Sequence, residues 1–352
     1  MSILHNHPKV LKLEENLTQQ LKTQLSEEEA FKIVEFDEKE VERSGYSNYS
    51  YWRSTFRAFA RKPVAMFFII LMVIILAFTF IQPYLPDQVD SYQVNNDPAT
   101  GMPLKNVQPG ERLEIKANNE ISEHTFLMGT NSIGQDLWSR IWSGTRTSLE
   151  IGVLVAVIES IVGILVGVLW GYVRKLDFFF TELYNIMDNI PTTIVLILVA
   201  YIPMPGVSPV LKIVISLTIQ SWIGMARFVR NQIIIIRDRE YNLASRCLGT
   251  NTFRIITKNL LPYLVSVIML RMALSIPGAI GSEVFITYIG LGLPAETASL
   301  GNLIIEGRKQ MMSPSLLYQL LYPTIILSMI TISFYVVGNA FSDAADPKNH
   351  VN

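Results

Sequence analysis

Two residues of opposite charge, Glu159 and Arg271, stand inside otherwise apolar runs, and a third, Glu283, closes one of them. An ionised side chain near the middle of a membrane-spanning helix costs about 3 kcal/mol, which half a dozen aliphatic residues at about −0.5 kcal/mol each offset. Such a segment inserts, provided its carboxylate faces protein or water rather than lipid. Two kinds of chemistry fit. Glu159 and Arg271 pair and hold two helices together, or they line an aqueous path. Asp188 and Glu283 would join Glu159 if the acids served as an ion relay. The neighbouring small residues are regularly spaced. Gly163, Gly167 and Gly171 follow Glu159 at steps of four, so they share one helix face and admit another helix closely. Ser275, Gly278, Ala279 and Ser282 continue from Arg271 as a small, polar face.

Other chemistry is missing. There is no G-x-x-x-x-G-K-S/T loop, so the chain does not hold ATP by that route, and no H-E-x-x-H or G-x-S-x-G occurs. The acids are scattered rather than paired for hydrolysis. No enzyme activity and no cofactor of its own are expected. His5 and His7 lack a third ligand, His124 and His350 lie far from them, and no metal site is expected. The single cysteine, Cys247, excludes an internal disulfide and reads as a packed small residue. Net charge is −1, which gives no pull toward nucleic acid.

These residues must be positioned by membrane helices. Half of the 352 residues are hydrophobic and the mean hydropathy is +0.32. Six runs approach the roughly 20 apolar residues that cross a bilayer: 64–81, 149–172, 184–202, 210–229, 263–283 and 320–341. Pro191 interrupts the third and should kink it or mark its start. The first run lies too far from residue 1 and is too long for a cleaved signal, and reads as an uncleaved first span. Lys and Arg cluster before the first run, after the second and between the fourth and fifth, which puts both termini in the cytoplasm. Arg140, Arg146, Arg308 and Lys309 weaken that pattern without reversing it. The expected organisation is a cytoplasmic tail over 1–48, an interfacial helix over 49–63, a first span over 64–82 and an extracellular loop over 83–148. A five-helix core over 149–341 and a cytoplasmic tail over 342–352 follow. The interfacial reading rests on Trp52, Phe56 and Phe59 recurring at helical spacing beside Arg53, Arg57 and Arg61. A cytoplasmic extension of the first span is the simple alternative.

Within the core, the connector 230–262 is too regular for a plain link. It reads as two short helices, 241–248 and 252–259, turned by Gly249 and stopped by Pro262. A rigid knob of this kind suits a soluble partner that must push on a membrane protein.

This connector resembles the coupling loop of ABC-importer permease subunits, roughly E-A-A-x-x-x-G, nine residues, then I-x-L-P. Ala244, Ser245, Gly249, Leu261 and Pro262 match. Leu243 stands where Glu often sits, and Asn259 where peptide permeases often carry His. Three further segments agree in order. Gly129-Thr-Asn-Ser-Ile-Gly-Gln-Asp136, with Ser139-Arg140 and Gly144-Thr-Arg146-Thr-Ser-Leu149, is similar to G-T-D-x-x-G-R-D…S-R…G-x-R-x-S-L, with Asn131 for Asp and Gln135 for Arg. Glu283, Tyr288-Ile-Gly290-Leu-Gly292-Leu-Pro294 and Ser299-Leu-Gly301 resemble E-x-x-L-S-F-L-G-L-G-x-x-P…S-x-G. Ser342-Asp-Ala-Ala-Asp-Pro-Lys348 resembles R-D-A-L-D-P-R. The likeness runs over about 49–348 and is strongest to the C-type permease subunit of oligopeptide importers of the Gram-positive branch.

The resemblance implies an all-α polytopic membrane protein of the type I ABC-importer permease fold, with six transmembrane helices, in the plasma membrane. It implies a homologous B-type permease, two cytoplasmic ATPases that bind ATP and Mg, an extracellular peptide-binding lipoprotein and a peptide substrate. Dipeptides or nickel chelates are the alternative cargo. An ion-coupled secondary transporter and a non-transporting scaffold are the alternatives of another class. By analogy, Ala244, Ser245, Arg246, Gly249, Arg254, Leu261 and Pro262 form the ATPase-coupling loop. Glu159, Gly163, Gly167, Arg271, Ser275, Ser282 and Glu283 serve the translocation path or helix packing. Gly129, Asp136, Arg140, Arg146, Gly290, Gly292 and Pro294 belong to the outer gate or the approach to it.

Overall fold

Apolar runs long enough to cross a bilayer become helices that satisfy their own backbone, and the computed structural model is built on them. It describes residues 51–117 and 120–345. The expected tail over 1–48 with His5 and His7, and residues 346–352 with Lys348 and His350, lie outside the described residues.

Helix α1 (Tyr51–Ala60) and helix α2 (Pro63–Ile81) are separate elements. Pro63 opens α2, and the preceding Lys62 is extended, the conformation a following proline imposes. Phe59 of α1 is buried, and Phe56 and Phe59 both meet the edge of Phe341. Lys62 adds an ion pair to Asp343 at 3.0 Å. Helix α2 is apolar on every side and mostly unburied, as a lipid-facing helix should be.

The expected loop over 83–148 holds a small folded lobe. Strands β1 (Glu111–Ala117) and β2 (Glu120–Phe126) pair antiparallel, with Glu111 opposite Phe126. Val107, Ile115 and Phe126 are its core. Among the described residues, the hairpin adds a two-stranded sheet to a mainly helical structure. Its last part is not loop at all, because helix α3 runs from Leu137 to Tyr172, starting well before the apolar run at 149.

Helices α4 (Arg174–Asp188) and α5 (Thr192–Tyr201) meet at an 80° bend at Pro191. Helix α6 (Pro209–Arg237) packs along α3 more extensively than any other pair. Helices α7 (Glu240–Cys247) and α8 (Thr252–Ile255) form the connector. A π-helical turn, Ile256–Leu260, leads directly into α9 (Leu261–Tyr288). Pro262 therefore does not stop a helix. It sits in the first turn of α9, where its missing N–H is not needed. Helix α10 (Leu300–Lys309), absent from the sequence reading, precedes α11 (Tyr318–Ala345). Among the described residues, five helices are long and apolar enough to cross a membrane, or six if the bent pair α4–α5 is one span.

Candidate functional site

The glycine stripe on α3 is a contact surface with α6. A Cβ on Gly163 would stand 2.5 Å from Met225 Cβ, one on Gly167 2.5 Å from the Ala226 carbonyl oxygen, and one on Gly171 2.8 Å from Ile233 Cβ. Gly163 and Gly167 thus serve packing of α3 on α6.

One turn before that stripe, α3 faces a cavity of about 470 Å³ between α3, α6, α9 and the α4–α5 bend. Glu159, Arg271, Ser275 and Ser282 all line it, together with Asp188 and Gln220. The sequence thus located five of its polar residues, Asp188 among them, without showing that the bend supplies the remaining wall. Glu159 is 6% exposed and takes a hydrogen bond from Ser275, with Arg271 near enough to act on it electrostatically. The expected pairing is looser than a contact: no ion pair joins Glu159 and Arg271 among the described residues. Gln220 donates from Nε2 to the carbonyls of Met187 and Ile190, each at 3.0 Å, and so satisfies the backbone opened at the Pro191 break.

Glu283 is absent from that cavity. It is fully buried and accepts from Ser148 Oγ at 3.2 Å, Thr287 Oγ1 at 3.1 Å and Ser299 Oγ at 2.9 Å. Ser148 in turn accepts from the Leu300 amide, and Ser299 caps α10 through the Asn302 amide. Glu283 is the knot that ties α3, α9 and α10.

The outer-gate residues divide into two groups. Gly129, at φ +76°, lies against the Val107 carbonyl and the Tyr318 ring, with no room for a side chain. Asp136 caps α3, its Oδ2 accepting from the Ser139 amide at 2.9 Å, and burial pushes its carboxyl above the ordinary range. Arg140 is 1% exposed and pairs with Glu306 of α10 at 3.2 Å. Asn131 and Gln135 bond each other at 3.0 Å, a neutral pair where the resembling family carries charges. Arg146, on the same helix, is half-buried. Gly290, Gly292 and Pro294 line a second cavity, of about 440 Å³, with Tyr201 and Lys212. The two groups do not meet in one site.

The connector is a clasped knob. Gly249 turns at φ +77° with open space around it. Asn242 is buried, donates to the Ile236 carbonyl at 2.8 Å and accepts from Asn259 Nδ2 at 3.1 Å, which joins the two arms. Asn259 thus fastens the loop at a position where the resemblance leads one to expect His. Ser245 bonds back to the Tyr241 carbonyl at 2.8 Å. Arg246 turns inward onto Asp238 at 3.3 Å and over the Tyr172 ring, so its charge is partly engaged within the chain. Hydrogen bonds from Arg237 first, then Arg246, hold the Asp238 carboxyl below the ordinary carboxylate range. Leu261 packs partly into the core below, while Ala244 and Arg254 are exposed. The sequence reading missed the apolar tip: Leu248 is 86% and Phe253 73% exposed. Tyr241 and Leu243 are exposed beside them.

Comparison with known proteins bears on this arrangement directly. Residues 163–351 match the model of the binding-protein-dependent transport system inner membrane component. The chain belongs to that family. Residues 50–99 match the N-terminal TM domain of oligopeptide transport permease C. Over 326 residues the chain is 34% identical to the oligopeptide transport system permease protein AmiD of Streptococcus pneumoniae, covering 92% of this chain and 98% of that one. It is 31% identical over 317 residues to oligopeptide permease OppC of Bacillus subtilis, covering 88% and 93%. Dipeptide permease DppC of Bacillus subtilis is 35% identical over 228 residues, covering 64% and 69%. As a binding-protein-dependent permease, the chain is a multi-pass inner-membrane subunit of an ABC transporter. It is non-catalytic and works with an ATPase and a binding protein.

Proposed function

We propose that this chain forms half of the passage of an ATP-driven importer of oligopeptides. The other half is a homologous B-type permease. Two cytoplasmic ATPases supply the work by binding ATP with Mg, and an extracellular peptide-binding lipoprotein delivers the cargo. The bent pair α4–α5 counts as one of six spans, and both termini lie in the cytoplasm. One observation carries this reading: the knob of α7, Gly249 and α8 is clasped from within by Asn242 and Asn259 yet leaves Leu248 and Phe253 bare. A stiff element with an unsatisfied apolar tip is built to seat in another protein's groove. The cavity around Glu159 and Arg271 is this subunit's share of the path, and the Gly290–Pro294 region bounds it on the outer side. The oligopeptide names of the relatives that span most of the chain favour longer peptides over dipeptides or nickel chelates.

The test is uptake by proteoliposomes that hold the permease with its co-purifying subunits. Labelled oligopeptide should enter when ATP is supplied to the ATPase side, and a protonophore should leave the rate unchanged. Uptake driven by a proton gradient without ATP would instead establish the ion-coupled reading.

A further inference from the structure

The polar atoms of the 470 Å³ cavity are not used up by the protein itself. The Oε1 of Gln220 and the Oγ of Ser221 are buried and have no hydrogen-bond partner among the described residues, and both residues line the cavity. Arg271, ten residues into α9, is exposed there. One of its guanidinium nitrogens would stand 3.7 Å from a Cβ on Gly224, which places the head group across the cavity against α6. Glu159 stays on the α3 side, bonded by Ser275 and not in contact with the guanidinium. The planar guanidinium fork of an arginine fits a carboxylate. Where an acid is close enough to moderate the guanidinium charge but does not occupy the fork, the donors remain available to something else.

We infer that Arg271 receives the C-terminal carboxylate of the peptide in transit, with Gln220 Oε1 and Ser221 Oγ taking up its backbone amides. The inference rests on the reading of this cavity as part of a peptide path. Its logic is chemical. A carrier of varied peptides cannot rely on side chains, whereas every linear peptide ends in a carboxylate and carries N–H donors along its backbone. The three groups address those common features and leave side chains to the open part of the cavity. Glu159 keeps the grip moderate, because a site on a passage must release what it binds.

The experiment compares one labelled oligopeptide as free acid and as C-terminal amide, with the complete complex in ATP-supplied proteoliposomes. Affinity of the isolated binding protein for each form is measured separately and divided out. The wild type should carry the free acid about tenfold faster, the scale of one charge-assisted hydrogen bond. Arg271→Gln should bring the corrected ratio to one, and Arg271→Lys should leave it between the two. Should Arg271→Gln fail to assemble, the lysine variant alone decides. A ratio unchanged in either variant, or a wild type that carries both forms equally, overturns the role of Arg271. Transport of neither form, with another solute carried, refutes the peptide reading of the chain itself.

Discussion

Glu283 is a carboxyl bound into the fold, unlike Glu159 and Arg271, which line the cavity of the proposed path. Three hydroxyls converge on it in a buried setting, and its removal strands all of them at once. Unsatisfied buried donors cost about 1–3 kcal/mol each. Glu283→Ala should therefore lower stability by about 3 kcal/mol or more, read as an earlier thermal aggregation midpoint of the detergent-solubilised protein. Glu283→Gln, which keeps one carbonyl acceptor, should retain most of the stability. An alanine variant as stable as wild type but dead in uptake would return Glu283 to the translocation path. The sequence identified Glu283 as an unusual charge and could not say which kind. Its partners Ser148 and Ser299 are 135 and 16 residues away and belong to helices whose packing no local pattern encodes. Glu159 and Arg271 were legible as candidate partners because each puts a charge inside an apolar run. Their separation was not, since it depends on which way a long side chain turns in a cavity walled by four elements.

Among the elements, the connector has a tip and a clasp that do different work. The clasp is internal: Asn242 to Asn259, with Arg246 and Arg237 on Asp238. The tip is left mostly bare by the described residues. Leu248→Asp should then leave folding unchanged, within about 0.5 kcal/mol as for other surface substitutions, while the ATPase no longer co-purifies and ATP-driven uptake falls at least tenfold. Normal co-purification and uptake with Asp at 248 would remove the tip from the docking surface. The turn at Gly249 and the start of the next span were readable, because glycine and proline fix backbone geometry locally. The π turn was not readable, since it answers to how Ile255, Leu260 and Leu264 must all reach the same core. The hairpin left an alternating pattern in Glu111–Ala117 that a search for apolar runs passes over. Helix α10 left only its Ser299 cap. The early start of α3 is masked by polar residues that are buried against α10 instead of facing water.

At the scale of the molecule, the orientation in the membrane follows from the connector's side. Cys247 is the only cysteine in the sequence, and it lies exposed on α7. A membrane-impermeant maleimide should label the protein in inside-out vesicles and fail in right-side-out vesicles until they are permeabilised. Labelling in intact right-side-out vesicles would invert the topology and with it the docking role of the knob.

Helix α3 has a mechanical consequence. It is a single unbroken rod of 36 residues, about 54 Å long where the hydrocarbon it crosses is about 30 Å thick. At one end it is keyed to α10 by Arg140 and Glu306; at the other, Arg237 holds the Gly171 carbonyl at 2.7 Å and Arg246 lies over Tyr172. A rod gripped by a different neighbour at each end can act as a lever between them. A tilt of about 10° about its middle carries the ends roughly 9 Å relative to each other, with no hinge along its length to absorb the stroke. A displacement imposed at the connector end should therefore reach the α10 end.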